Sequence, residues 1–227
     1  MMFDLRKYNY DLAHPLKGFL PENMLTNNIS GDFLLNNDIS PKKPIVFNAT
    51  KVNIALNNKT IKAPVFAESN GQIVDGNTDS YGLWVKDNAE LVIEGNGSVI
   101  SQSAKYSMAV WAQGGTVTIK GGKYFNNGEG SDLIYASAGG KVYIYGGEFH
   151  PCKKQEGVSG TKDDYCALNI KDSDRKTSEI VVYGGKFYNF NPANNKSEGE
   201  STNFVADGYM SIEVETNVWE VVPKNND

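Results

Sequence analysis

The sequence predicts an all-β chain, a right-handed parallel β-helix (solenoid) with an irregular N-terminal arm and a small β C-terminal cap. Three observations carry that expectation. A phrase of alternating apolar and polar residues closed by glycines occurs four times. Its first glycines, Gly95, Gly121, Gly146 and Gly184, are 26, 25 and 38 residues apart, a period typical of stacked repeats. No stretch carries i, i+3, i+4 apolar spacing over a dozen residues, so helix is expected to be minor.

Residues 1–44 come first and read as the arm. They hold Tyr8, Tyr10, Leu12, Leu16, Phe19 and Leu20 without a clean period, among Pro15, Pro21, Pro41 and Pro44. Proline favours extended, irregular chain. An apolar segment without periodicity cannot bury itself as an amphipathic element, so it is expected to pack on a coil or a partner. Phe3, Tyr8, Tyr10, Leu16 and Phe19 are its candidate anchors, because buried aromatics dominate most interfaces.

Residues 45–196 read as the parallel β-helix. In Val117-Thr118-Ile119-Lys120-Gly121-Gly122-Lys123-Tyr124-Phe125 the β-branched residues alternate with polar ones, the mark of a strand with one buried face. The glycine pair breaks that strand at a tight bend, and a second short strand follows. A third strand precedes each phrase, at Gly82–Val85, Met108–Trp111, Asp132–Tyr135 and Cys166–Ile170. Each period therefore holds three strands and three corners, which stack at roughly 4.8 Å. Ile93, Ile119, Ile144 and Val182 are expected to share one core column. The longer last step places an insertion at 151–165, a polar loop on one side of the stack.

Residues 197–227 read as the cap, because an open coil end exposes strand edges and core. A turn at Asp207-Gly208 and apolar strands ending in Val218-Trp219-Glu220-Val221-Val222-Pro223 fit that role.

Net charge is −5, which argues against a nucleic-acid partner and its basic footprint. Residues 1–62 carry eight Lys/Arg and five Asp/Glu, while residues 197–227 carry one and seven. No run of 18 apolar residues is present, so no membrane insertion is expected. Met1-Met2-Phe3-Asp4-Leu5-Arg6-Lys7-Tyr8 lacks the apolar core and cleavage site of a signal peptide. Cys152 and Cys166 flank the insertion and are expected to be free thiols, one of them buried. His150 lies near Cys152, but no ligand spacing specific for a metal is present, and neither a metal nor another cofactor is predicted.

The string Gly184-Gly185-Lys186-Phe187-Tyr188-Asn189 with Asn191-Pro192, then Asn203-Phe204-Val205-Ala206-Asp207-Gly208-Tyr209, then Val218 to Pro223, resembles the end of pectate-lyase-like β-helix modules. Such modules occur in surface proteins of gut bacteria and in virion proteins of their bacteriophages. With the repeated phrases the resemblance covers roughly residues 80–223. It implies the β-helix fold, and a neighbourhood more than an activity.

Catalysis on this fold would need a base and clustered carboxylates. The two arginines, Arg6 and Arg175, lie outside the repeated strands. Asn77-Thr78-Asp79 and Asp163-Asp164 look like fragments of a polygalacturonase-type pattern, but the Gly-His-Gly and Arg-Ile-Lys partners are missing. Asp75, Asp79, Asp163 and Asp164 are more simply corner and loop residues, and no catalytic residue is assigned. Trp84 and Trp111, one coil apart, are the candidate glycan contacts, against the plainer account that stacked aromatics line the coil.

These readings lead to a non-enzymatic structural protein of a bacteriophage particle. A head fibre or capsid decoration is the first expectation, a tail fibre a variant of it. The protein would reside in the virion, as a homo-oligomer (trimer before dimer) bound to capsid or other virion proteins, with a host surface glycan as a further partner. The alternative is a carbohydrate-binding adhesin or a polysaccharide lyase or hydrolase.

Overall fold

The computed structural model describes residues 3–4, 30–70, 72–154 and 164–225. The chain is all-β, and its strands pass through three sheets in a repeating order. The first sheet receives β1 (Phe3–Asp4) and β2 (Gly31–Leu34), and the third sheet then receives β3 (Ile45–Asn48). The next rung is β4 (Lys51–Ala55) in the first sheet, β5 (Lys59–Lys62) in the second, and the hairpin β6 (Phe66–Ser69) with β7 (Gln72–Lys86) in the third. The cycle repeats with β8 (Glu90–Glu94), β9 (Gly97–Ser101) and β10 (Tyr106–Gln113), then with β11 (Thr116–Ile119), β12 (Lys123–Asn126) and β13 (Ile134–Ser137). It repeats again with β14 (Lys141–Ile144), β15 (Glu148–His150) and β16 (Leu168–Ile170), and ends with β17 (Glu179–Val182) and β18 (Gly185–Tyr188). The result is a solenoid-like stack of parallel sheets. The strand of 31–34 belongs to it, inside the stretch read from sequence as the arm.

Register makes the core a set of columns. Phe33, Ile54, Ile93, Ile119, Ile144 and Val182 stand in line along the first sheet, all buried. The four residues expected to share a column do so. Val52, Leu91, Val117, Val142 and Ile180 form a parallel line two residues away. In the third sheet Ile45, Leu83, Val110, Ile134 and Leu168 align. In the second sheet Tyr124, Phe149 and Phe187 stack as rings, 5.1 and 4.6 Å between centroids. The Tyr124 hydroxyl is satisfied by donating to the Gly121 carbonyl at 2.8 Å. Like residues repeat because each must fill the same slot, close-packed, on the rung below.

The glycine pairs divide two tasks. A side chain on the first glycine would strike the rung below: a Cβ on Gly184 would lie 2.5 Å from the Tyr145 carbonyl oxygen, and one on Gly121 2.9 Å from that of Gly95. The second glycine takes positive φ, +91° at Gly122, +112° at Gly147 and +109° at Gly185.

The longer last step is divided around β16. Extra chain precedes it, of which residues 155–163 lie outside the described residues. More follows it as a 3-10 turn at Asp172–Asp174. Lys154 donates its amide to the Asp164 carbonyl at 2.9 Å, so the two ends of the insertion meet.

At the C-terminal end each sheet is finished differently. The second sheet is covered by an antiparallel hairpin, β19 (Tyr209–Glu215) and β20 (Val218–Pro223), with β20 paired to β18. The first sheet is closed where Val182 donates to the Phe204 carbonyl and accepts from the Ala206 amide, at 2.8 and 2.9 Å. The third sheet is closed by a side chain: Glu198 accepts the Ile170 amide at 2.6 Å. Edge groups left over by a parallel stack are thus paired off. No helix among the described residues is long and apolar enough to cross a membrane.

Candidate functional site on the outer face of the third sheet

Strand alternation would put Leu83 and Val85 in the core and Trp84 outside, and it does. Yet Tyr81 and Met108 also lie outside, three residues before Trp84 and Trp111. The phase slips between them at Gly82 and Ala109. A Cβ on Gly82 would collide with the Ala109 carbonyl, so only glycine lets the rungs approach there. The slip gathers Val46, Phe66, Tyr81, Trp84 and Met108 into a second apolar cluster, with Trp111 and Tyr135 packed against it.

Trp84 and Trp111 are neighbours in register and stack face to face, 4.7 Å between centroids and 5° between planes. Tyr81 meets both rings edge-on, at 5.3 and 5.0 Å. Each indole is also tied at its nitrogen. Trp84 Nε1 donates to Gln113 Oε1 at 3.1 Å, and Trp111 Nε1 to Ser137 Oγ at 2.9 Å. The Lys86 ammonium stands 4.6 Å from the Trp84 ring centre. Tyr135 continues the column, tilted 49° to Trp111, with its hydroxyl pushed well above the ordinary tyrosine value by burial and then by Asp132.

This geometry decides what the column offers. A sugar stacks by laying C–H bonds on an open ring face. Here the facing surfaces of Trp84 and Trp111 cover each other, and Trp84 is 7% exposed. The pair therefore presents edges to a glycan, while its stacking adds about 1 kcal/mol to the packing of adjacent rungs.

Asp79 sits at the foot of this cluster. Its carboxylate accepts hydrogen bonds from the Tyr81 hydroxyl, from Thr78 Oγ1 at 2.5 Å and from the Glu68 amide at 3.3 Å. It is 5% exposed and joins the β6–β7 hairpin to the stack. Asp79→Ala is expected to leave the Tyr81 hydroxyl and the Glu68 amide without their partner, costing about 2 kcal/mol. Urea denaturation checks this, and an unchanged midpoint would show the hairpin to be held by packing alone.

The other residues singled out from sequence do not converge with Asp79. Asp75 and Asp164 are exposed, and Asp163 lies outside the described residues. Arg175 is bound to Asp172 and Glu198, 2.7 Å each. Burial raises the Glu198 carboxyl, and the Ile170 amide and Arg175 offset this only in part. Arg6 lies outside the described residues, as do Tyr8, Tyr10, Leu16 and Phe19. Phe3 is described through its backbone alone, which pairs with Gly31.

His150 stacks between Phe125 and Tyr188, at 4.4 and 3.9 Å. Burial lowers its imidazole below the ordinary value, against the pull of Glu148 3.5 Å away. Cys152 and Cys166 are free thiols. Burial pushes the first up to about 11 and the second well above its ordinary value. No three His, Cys, Asp or Glu side chains among the described residues are grouped to hold a metal ion.

Sequence reasoning missed Tyr81 and Met108, because strict alternation hides them. The signal available was Gly82, a lone glycine inside a strand pattern, which marks a bulge or a close approach.

No family model, no curated protein and no solved structure matches this chain.

Proposed function

We propose that the chain is a non-enzymatic structural protein of a bacteriophage particle, a head fibre or capsid decoration, or a tail fibre in a variant of the same reading. Its stack would be a right-handed parallel β-helix of the pectate-lyase-like type, held through residues 1–30 as a homo-oligomer. One observation supports the structural part: among the described residues, the third sheet is closed at its C-terminal side by Glu198 and ends in the edge strand β3 at the other. At the C-terminal end all three sheets are closed by the chain's own hairpin, loop and glutamate. At the other end, among the described residues, β3 is the edge strand of its sheet, β1 adds two residues to the first sheet, and β5 is paired through Ile39 and Asp38. A stack finished on one side suits a projecting end, and the other side suits an anchor. The phage part rests on the resemblance of residues 80–223.

Deleting residues 1–30 is expected to leave the sheets folded by circular dichroism while abolishing incorporation into particles, read by quantitative mass spectrometry. A truncated protein at wild-type occupancy overturns the anchor, and absence of the full chain from purified particles overturns the particle assignment. A monomer by light scattering at high concentration overturns self-association. Release of reducing ends or unsaturated sugars from a polysaccharide panel would favour the lyase or hydrolase reading instead.

A further inference from the structure

Two lines of side chains run along the outer face of the second sheet, because an outward residue on one rung lies over its counterpart on the next. In one line the order is Lys123, Glu148, Lys186 and Glu220, from β12 through β15 and β18 to β20. Its charge alternates at every step. In the other line Ile100, Phe125, His150 and Tyr188 follow one another, all half-buried. Its rings stack at 4.4 and 3.9 Å. β19 ends the sheet, with Ile212 beside Glu220 and Met210 beside Val222, and both Ile212 and Met210 are exposed. The inner face of the same sheet is already filled by Tyr124, Phe149 and Phe187. The outer face therefore carries apolar surface beyond what the core uses.

The order of the charges selects what fits. Lys123 and Glu148 form a bridge of 3.1 Å, yet their side chains stay 51% and 35% exposed, so both still present charge outward. A second copy laid face to face, with its rungs running the opposite way about a two-fold axis parallel to the strands between β15 and β18, meets the line in reverse. Lys123 then faces Glu220 of the second copy, and Glu148 faces its Lys186. In the apolar line His150 meets Tyr188, and β9 of one copy covers Ile212 of the other. Copies side by side at one height would instead set lysine against lysine and glutamate against glutamate. The strands from β9 to β19 make a strip about 24 Å long and two side-chain lines wide, at the low end for specific association, below about 1,200 Å² in total. The contact is therefore expected to be a weak, exchanging one.

We propose that the outer face of the second sheet is a homodimer surface, on which a second copy of this chain packs antiparallel about a two-fold axis, each lysine–glutamate line meeting the other in reverse. This contact is distinct from the association through residues 1–30 and does not depend on the particle assignment.

Sedimentation equilibrium of the full chain, up to millimolar concentration, tests it. Wild type is expected to form dimers with a dissociation constant in the micromolar range or weaker. Lys123→Glu and Glu220→Lys, each alone, should weaken the dimer about tenfold or more. Mixing the two variants should restore association to wild-type strength as a heterodimer, because each copy then supplies the charge the other has reversed. A ladder that acts only within one chain gives no such rescue, and rescue also excludes misfolding as the cause of the single losses. Lys141→Glu, the same reversal at an exposed position on the first sheet, is the control and should leave the dimer unchanged. The proposal fails if wild type stays monomeric, if both single reversals leave association unchanged, or if the mixture associates no better than either variant alone. It also fails if Lys141→Glu weakens association equally, which would put the contact on the first sheet.

Discussion

Ile119→Asp is expected to leave no folded protein at room temperature. Ile119 is fully buried on β11, in register with Ile93 below and Ile144 above, deep in the column of the first sheet. An aspartate there would remove the packing of both neighbours and place a carboxylate where nothing pairs with it. The cost of such a change is about 5 kcal/mol or more, comparable with the ~5–15 kcal/mol that holds a typical domain together. Thr118→Asp is the control. Thr118 is adjacent, half-buried, and turned to the outer face. Its substitution should cost no more than about 1 kcal/mol. Circular dichroism and urea denaturation of the pair read the result. Equal effects at 118 and 119 would mean that the alternation on which the whole register rests is misassigned.

That contrast also shows where the fold was legible. The columns could be read because each rung repeats the same local problem: Ile93, Ile119 and Ile144 fill one slot, and Gly121, Gly146 and Gly184 meet one steric limit. Periodicity makes these visible without a structure. The insertion was located by the longer step, but its division around β16 was not, since polar chain before and after a strand looks alike. Glu198 and Ile170 are 28 residues apart, and nothing local marks a glutamate as the closure of a sheet edge. Asp79, expected to be a corner or loop residue, is instead buried inside β7, and it escaped for a related reason. Beside Asn77 and Thr78 it resembles a catalytic fragment, and the partners that explain it, Tyr81 and the Glu68 amide, depend on the β6–β7 hairpin, an addition to its own rung. Repeats reveal what is common to the rungs. The candidate site lies where one rung departs from the others.

Lys154→Met is expected to destabilise the protein by about 3–5 kcal/mol, an effect out of proportion to a change in a loop. The side chains of Lys154 and Asp132 are 9% and 10% exposed and 3.4 Å apart. Removing the cation strands a buried carboxylate, which is far worse than never having had the pair. The double variant Lys154→Met with Asp132→Leu should therefore recover most of the loss, and the cycle of single and double variants isolates the coupling. Alkaline pH provides a second reading. Burial alone would lower the Lys154 ammonium, but the field of Asp132 and its neighbours holds it above the ordinary lysine value. A group raised on folding contributes fully below its unfolded value of about 10.4, and that contribution is lost as pH climbs through the folded one. The buried tyrosines Tyr81, Tyr124 and Tyr135 are also raised by burial and lose stability in the same direction. The diagnostic quantity is thus the difference between wild type and Lys154→Met, which should narrow above pH ~10.5. The backbone of Lys154 also joins the two ends of the insertion and forms part of the wall of a cavity over β16. If the single substitution costs less than about 1 kcal/mol, the pair behaves as a solvated surface bridge, and that wall is held by backbone contacts alone.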